Sequence, residues 1–226
     1  MSFKKFTKEL SGTRVEGELV KAILYSLIVS FGLLAVLYYT RLRYIEDFLP
    51  KYGFYIFFAI LSYAIVFPSI RQTRAYRTFA CMPGMMIGMT TGMIAGFLAG
   101  YFIGATNGMF WGSMFGMAVG IGMGVWNGQC CGVMGVMEGL MAGFMGGLMG
   151  AMTSVMLLNE HLKIASVVIF IVCTVIIFSL NYMIYGEKRE HEAEIKQGYS
   201  GIVLLSVLLT AVTIWLIVYG PRSAFL

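Results

Sequence analysis

The chain has 226 residues, 59% of them apolar and 12% charged, with a formal net charge of +5. Soluble domains carry about 25% charged residues, so one water-soluble globule cannot use this much apolar surface, whereas several membrane spans can. The basic residues cluster at the ends of apolar stretches, which fits membrane orientation and argues against nucleic-acid binding.

Residues 1–21 are polar and are expected to lie in the cytoplasm. The first apolar run, Ala22 to Thr40, follows them with no A-x-A-like cleavage site, so it reads as a retained span and not a signal peptide. Tyr52 to Ile70 is the second span. Residues 22–70 thus form two transmembrane helices, followed by a cytoplasmic loop at 71–83. Beyond the central region, 164–220 holds two more spans, Ile164 to Gly186 and Gly198 to Gly220. All four lack charge over the length a bilayer requires. Tyr38, Tyr39, Tyr52, Tyr182, Tyr185, Tyr199 and Tyr219 mark their edges as interfacial aromatics do.

The region 84–157 is different. Between Thr78 and Asn159 the only charged residue is Glu138, and the stretch holds 20 of the 28 glycines and 16 of the 18 methionines. It is too long for two straight spans across about 30 Å of hydrocarbon. A 20-residue repeat divides it: Gly88 to Asn107, Gly108 to Asn127, and Gly128 to Gly147. The first two copies end in Asn-Gly, a turn signal because both residues tolerate positive φ. Three helices are predicted: Gly84 to Gly104, Met109 to Val125, and Cys130 to Leu157. The fold class is therefore all-α, a polytopic membrane protein of about seven spans with a central Gly-zipper three-helix unit. A cytoplasmic N-terminus then puts 11 of the 16 basic residues on the inner side, in agreement with the positive-inside rule. The expected location is the cell membrane, with the bilayer as the first partner.

Glycine recurs at every fourth position from Gly84 to Gly132, through Gly88, Gly92, Gly96 and Gly100, and again at Gly135, Gly139, Gly143 and Gly147. Each helical glycine costs about 1 kcal/mol against alanine in water, so a full stripe needs a packing reason. In lipid that reason is close backbone approach, and a spacing of four favours right-handed crossings. The stripe is expected to pack the unit together or to join copies in a homo-oligomer.

Methionines 134, 137, 141, 145, 149, 152 and 156 step by three and four along the last central helix and share a face with Cys131 and Glu138. Met85, Met89 and Met93 repeat the pattern in the first central helix, preceded by Cys81. Methionine is a good gap-filler, but thioether and thiolate ligands also select Cu(I). The candidate metal ligands are Met134, Met137, Met141, Met145, Cys131, Cys130, Met85, Met89, Met93 and Cys81. Glu138, a carboxyl within a span, is the candidate ion-path or coupling group. Cys173 reads as a small buried hydrophobe. The four cysteines fit neither a disulfide framework nor a zinc pattern.

The motif Met85-x-x-x-Met89-x-x-x-Met93 with its glycine ladder resembles the high-affinity copper uptake (Ctr) family, short three-span trimers that pair M-x-x-x-M with G-x-x-x-G. The span count differs, and the methionine- and histidine-rich tail of that family is missing. Met137 to Met152 also resembles Gly/Met-rich multispan proteins of bacteria, most of them uncharacterised. The Ctr resemblance implies copper(I) as the cargo. No Walker loop, H-E-x-x-H or G-x-S-x-G occurs, and no enzyme activity is expected. Three readings follow: soft-cation transport or binding, a structural membrane assembly without cargo, and a proton or ion path at Glu138.

Overall fold

A computed structural model describes residues 15–40, 52–74, 81–129, 132–158, 161–188 and 200–220. Among them the chain forms seven helices and no strand: α1 (Val15–Thr40), α2 (Phe54–Arg74), α3 (Cys81–Asn107), α4 (Met109–Gly128), α5 (Gly132–Met156), α6 (Leu162–Lys188) and α7 (Ser200–Tyr219). A helix satisfies its backbone polar groups internally, which hydrocarbon surroundings require. The segments Met82–Asn107, Met109–Gly128, Gly132–Met156 and Leu162–Ile184 are long and apolar enough to cross a membrane. Ile23–Tyr39, Phe54–Phe67 and Val203–Tyr219 are shorter apolar helical stretches among the described residues. The fold is thus a polytopic all-α architecture. Of the expected cytoplasmic segments, residues 1–14 and 75–80 lie outside the described residues.

Helices α3, α4 and α5 form the most tightly packed unit. Glycines from all three helices meet in layers: Gly88 with Gly128 and Gly135, Gly92 with Gly124 and Gly139, Gly96 with Gly120 and Gly143, and Gly100 with Gly116 and Gly147. A fifth layer sets Gly104 against Gly112 and Ala151. A methyl group added at Gly96 would sit 2.9 Å from the Gly143 carbonyl oxygen, and one at Gly116 would sit 2.7 Å from Gly100 Cα. No side chain fits between these backbones. Gly84 is buried as well. Residue numbers rise together on α3 and α5 and fall on α4, so α3 and α5 run parallel, with α4 antiparallel to both. A stripe spaced by four drifts by about 40° per step on a helix of about 3.6 residues per turn. Contact through five layers therefore requires the helices to wrap around one another with a right-handed sense.

Gly108 alone separates α3 from α4, at φ 90° and ψ 173°, where a side chain would be strained. The hydrogen-bond ladder continues across it, from Gly108 N–H to Gly104 O (3.2 Å) and from Gly112 N–H to Gly108 O (3.1 Å). The second expected Asn-Gly turn is displaced. α4 runs through Asn127 and Gly128, and the positive φ (71°) falls at Gly132. Packing explains the shift: the buried Asn127 amide donates to Thr91 Oγ1 (3.0 Å), and Gly128 lies against Gly135. Both residues serve the helix contact, so the chain reverses later and α4 lengthens to 20 residues.

Helix α2 packs against α1, α3, α6 and α7, and the three-helix unit joins the rest mainly through α3. The spanning part of α3 is 72% buried, against 33% for α4 and for α5, which leaves the outer faces of α4 and α5 uncovered. The main core gathers Tyr63, Phe67, Leu98, Tyr101, Phe102 and Cys173. The buried Cys173 in that cluster fits its reading as a small hydrophobe. Tyr101 ties α3 to α6, its hydroxyl lying 3.1 Å from Ser166 Oγ.

Candidate functional site: a methionine face outside a glycine core

The glycine stripe points into the three-helix unit, and the methionine stripe points out. On α5, Met134, Met137, Met141, Met145, Met149, Met152 and Met156 are all exposed. On α3, Met82, Met86, Met89 and Met93 are exposed and Met85 is half-buried. The two stripes lie side by side in sequence, but only glycine permits the backbone contacts just described. Steric size therefore decides which stripe faces inward. No passage runs between α3, α4 and α5, because their backbones close it, and a path lined by these sulfurs follows the outer surface of the unit.

Register places Glu138. The four-spaced row Glu138, Ala142, Gly146 and Gly150 on α5 borders α3: Gly146 rests on the Met93 backbone and Gly150 on that of Phe97. The same step, held through every glycine layer, brings Ala142 level with Met89 and Glu138 level with Met85. Ala142 is buried as this requires, and Glu138 is half-buried. The α3/α5 seam thus collects Met85 and Met89 from one helix and Glu138 from the other, with Met134, Met141 and Met145 flanking Glu138 on α5. Glu138 makes no ion pair or hydrogen bond among the described residues.

The side chain of Cys81 and both residues Cys130 and Cys131 lie outside what the structure describes. Among the described residues no cluster of three or more His, Cys, Asp or Glu groups occurs. Among the described residues, the candidate ligands are the thioethers and Glu138. His161 is exposed near the start of α6, and His191 lies outside the described residues.

No protein-family model, curated protein or solved structure matches the chain. Its chemistry must be argued from its own residues.

A second set of polar groups carries no signal as strong as the methionines. Ser206, Thr210 and Thr213 on α7, Ser26 and Ser30 on α1, and Asn107 at the end of α3 are all buried within apolar helices. Ser26 Oγ donates to Ser206 Oγ (3.1 Å), and the Asn107 amide donates to the Leu216 carbonyl (2.7 Å). The i, i+4, i+7 spacing of Ser206, Thr210 and Thr213 is legible in the sequence and marks one helix face.

Proposed function

We propose that this membrane protein binds and passes a soft monovalent cation, Cu(I), along the thioether face of α3 and α5, with Glu138 as the one anionic group at that site. A contrast between neighbouring helices carries the reading. Both α5 and α6 present broad exposed faces. That of α6 is mostly aliphatic, with Ile164, Val167, Val168, Ile171, Val172, Val175 and Ile176 beside Phe178, whereas that of α5 is dominated by methionine. Aliphatic side chains already satisfy a lipid-facing surface, so hydrophobicity does not explain seven methionines in one row. The thioether differs from them in being a soft donor, and soft donors favour Cu(I) over the harder common cations. From Met134 to Met156 the row runs about 33 Å, roughly the thickness of a hydrocarbon core. Neutral thioethers bind weakly enough for an ion to leave one site for the next. Movement along this outer face requires a cover, and a second copy of the chain supplies it.

Titration of purified protein with Cu(I), under reducing conditions in detergent, tests the reading. Stoichiometric binding is expected, and it should be lost when Met134, Met141 and Met145 all become Leu. Those changes keep the apolar volume, so unchanged binding would refute the proposal. The structural reading, favoured by the closed glycine core, predicts no specific binding in either protein. In the ion-path reading, Glu138→Gln abolishes conductance in proteoliposomes and leaves Cu(I) binding intact.

A further inference from the structure

The exposed methionines of α3 line the floor of a groove. At about 100° per residue, Met82, Met86, Met89 and Met93 form one stripe of that helix. It lies roughly a quarter turn from the glycines that meet α4 and α5. It lies about as far from Ile87 and Tyr101, which pack on α6 at Leu180, Ile184 and Ser166. Helix α6 packs mainly on α2 and α3 and leaves α5 almost untouched. The stripe is therefore open, with α5 on one side and α6 on the other. Its exposure falls from 76% at Met82 to 37% at Met93, so the groove deepens along α3.

The α5 wall follows from the same rotation. Gly139 and Gly143 turn toward α4, and Gly146 and Gly150 rest on α3. Further around α5, away from α4, come Glu138, Met145 and Met141, which thus stand on the groove side. Floor and wall are rich in thioethers, pliant groups that adapt to ligands of irregular shape. One group breaks the pattern. Glu138 is half-buried in this wall and forms no ion pair or hydrogen bond among the described residues. A carboxyl within a span is expected to face a cavity or a partner. A neutral occupant, whether a lipid chain or the apolar face of a second copy, would leave it unpaired at a cost. Hard metal ions take about six oxygen ligands, and this groove supplies Glu138 and at its edge the Thr90 hydroxyl, which already donates to the Met86 carbonyl (2.5 Å). The occupant that complements both features carries one positive charge on an apolar body.

We propose that the groove between α5 and α6 binds a lipophilic organic cation, with Glu138 as its counter-charge and Met86, Met89, Met93, Met141 and Met145 as its apolar lining. The site overlaps the face assigned to Cu(I) but does not rest on that reading. Charge pairing at Glu138 and apolar contact hold the organic cation, whereas sulfur donation would hold the metal.

Equilibrium dialysis of the purified full-length protein in detergent against labelled tetraphenylphosphonium, with a copper chelator present, tests the site. Saturable binding is expected, displaced by excess unlabelled ligand. Glu138→Gln should weaken it at least about tenfold, and Glu138→Asp should largely retain it. Matching thermal midpoints for these two variants show that both are folded. The variant with Met134, Met141 and Met145 changed to Leu keeps the apolar volume, so it should still bind tetraphenylphosphonium while losing Cu(I). Failure of the copper titration alone would refute the copper reading and leave this one standing. Non-saturable uptake by the wild type, as for a ligand dissolved in the micelle, would overturn the organic-cation site. So would equal affinity in wild type and Glu138→Gln.

Discussion

Replacing Gly120 by Ala tests the core of the architecture. The added methyl would lie 2.7 Å from the Gly143 carbonyl oxygen and 2.8 Å from Gly96 Cα. Carbon contacts are comfortable at about 3.5–4.0 Å, so α4 must move away from α3 and α5 by roughly 0.5–1 Å. A gap of that size forfeits a quarter to a half of each dispersion contact, and rigid helices carry it into the adjoining layers, Gly92–Gly124–Gly139 and Gly100–Gly116–Gly147. Overpacking of a tight core costs about 1–3 kcal/mol. The gain in helix propensity, about 1 kcal/mol in water, offsets only part of this. The expected net loss is about 1–2 kcal/mol, or roughly 2–8 °C in thermal midpoint for a chain of this length. Gly122→Ala is the internal control: it lies two residues away on the same helix, and a methyl there meets nothing within 4 Å. It should leave the midpoint unchanged or raise it slightly. Circular dichroism in detergent reads both variants. Equal midpoints for Gly120→Ala and Gly122→Ala would refute the layered glycine packing.

Two further outcomes are expected. Asn107→Ala removes the donor to the Leu216 carbonyl at 2.7 Å; interhelical bonds of this kind in membranes contribute about 0.6 kcal/mol, so a thermal melt should show a small fall, and a large one would mean that Asn107 does more than tie α3 to α7. The proposed topology, with alternating helices and a cytoplasmic N-terminus, puts the two ends of α6 on opposite sides of the membrane, with Lys188 on the cytoplasmic side. In a cysteine-free background, an impermeant thiol reagent applied to intact cells should label Lys163→Cys and spare Lys188→Cys, and labelling of both or of the reverse pair would contradict the topology.

Much of the fold was legible in the sequence because its signals are periodic. Charge-free runs of membrane length marked the helices, and the 20-residue glycine repeat divided the central region into three. Asn107-Gly108 marked a turn correctly, with the positive φ at Gly108. Asn127-Gly128 carries the same dipeptide, yet it is helical, because Thr91 and Gly135 engage it from other helices. A local signal cannot report a partner that arrives from elsewhere in the chain.

The candidate site divides in the same way. The steps of three and four in the methionines, and of four in the glycines, show in the sequence which residues share a stripe. Which stripe turns inward was decided by tertiary packing: three backbones can meet only through glycine, and that contact rotates the methionines to the outside. Glu138 gained its neighbour Met85 only through the register of α5 on α3. Periodicity along one helix determines what lies on a common face, whereas the direction of that face and its partners depend on contacts between residues far apart in the chain.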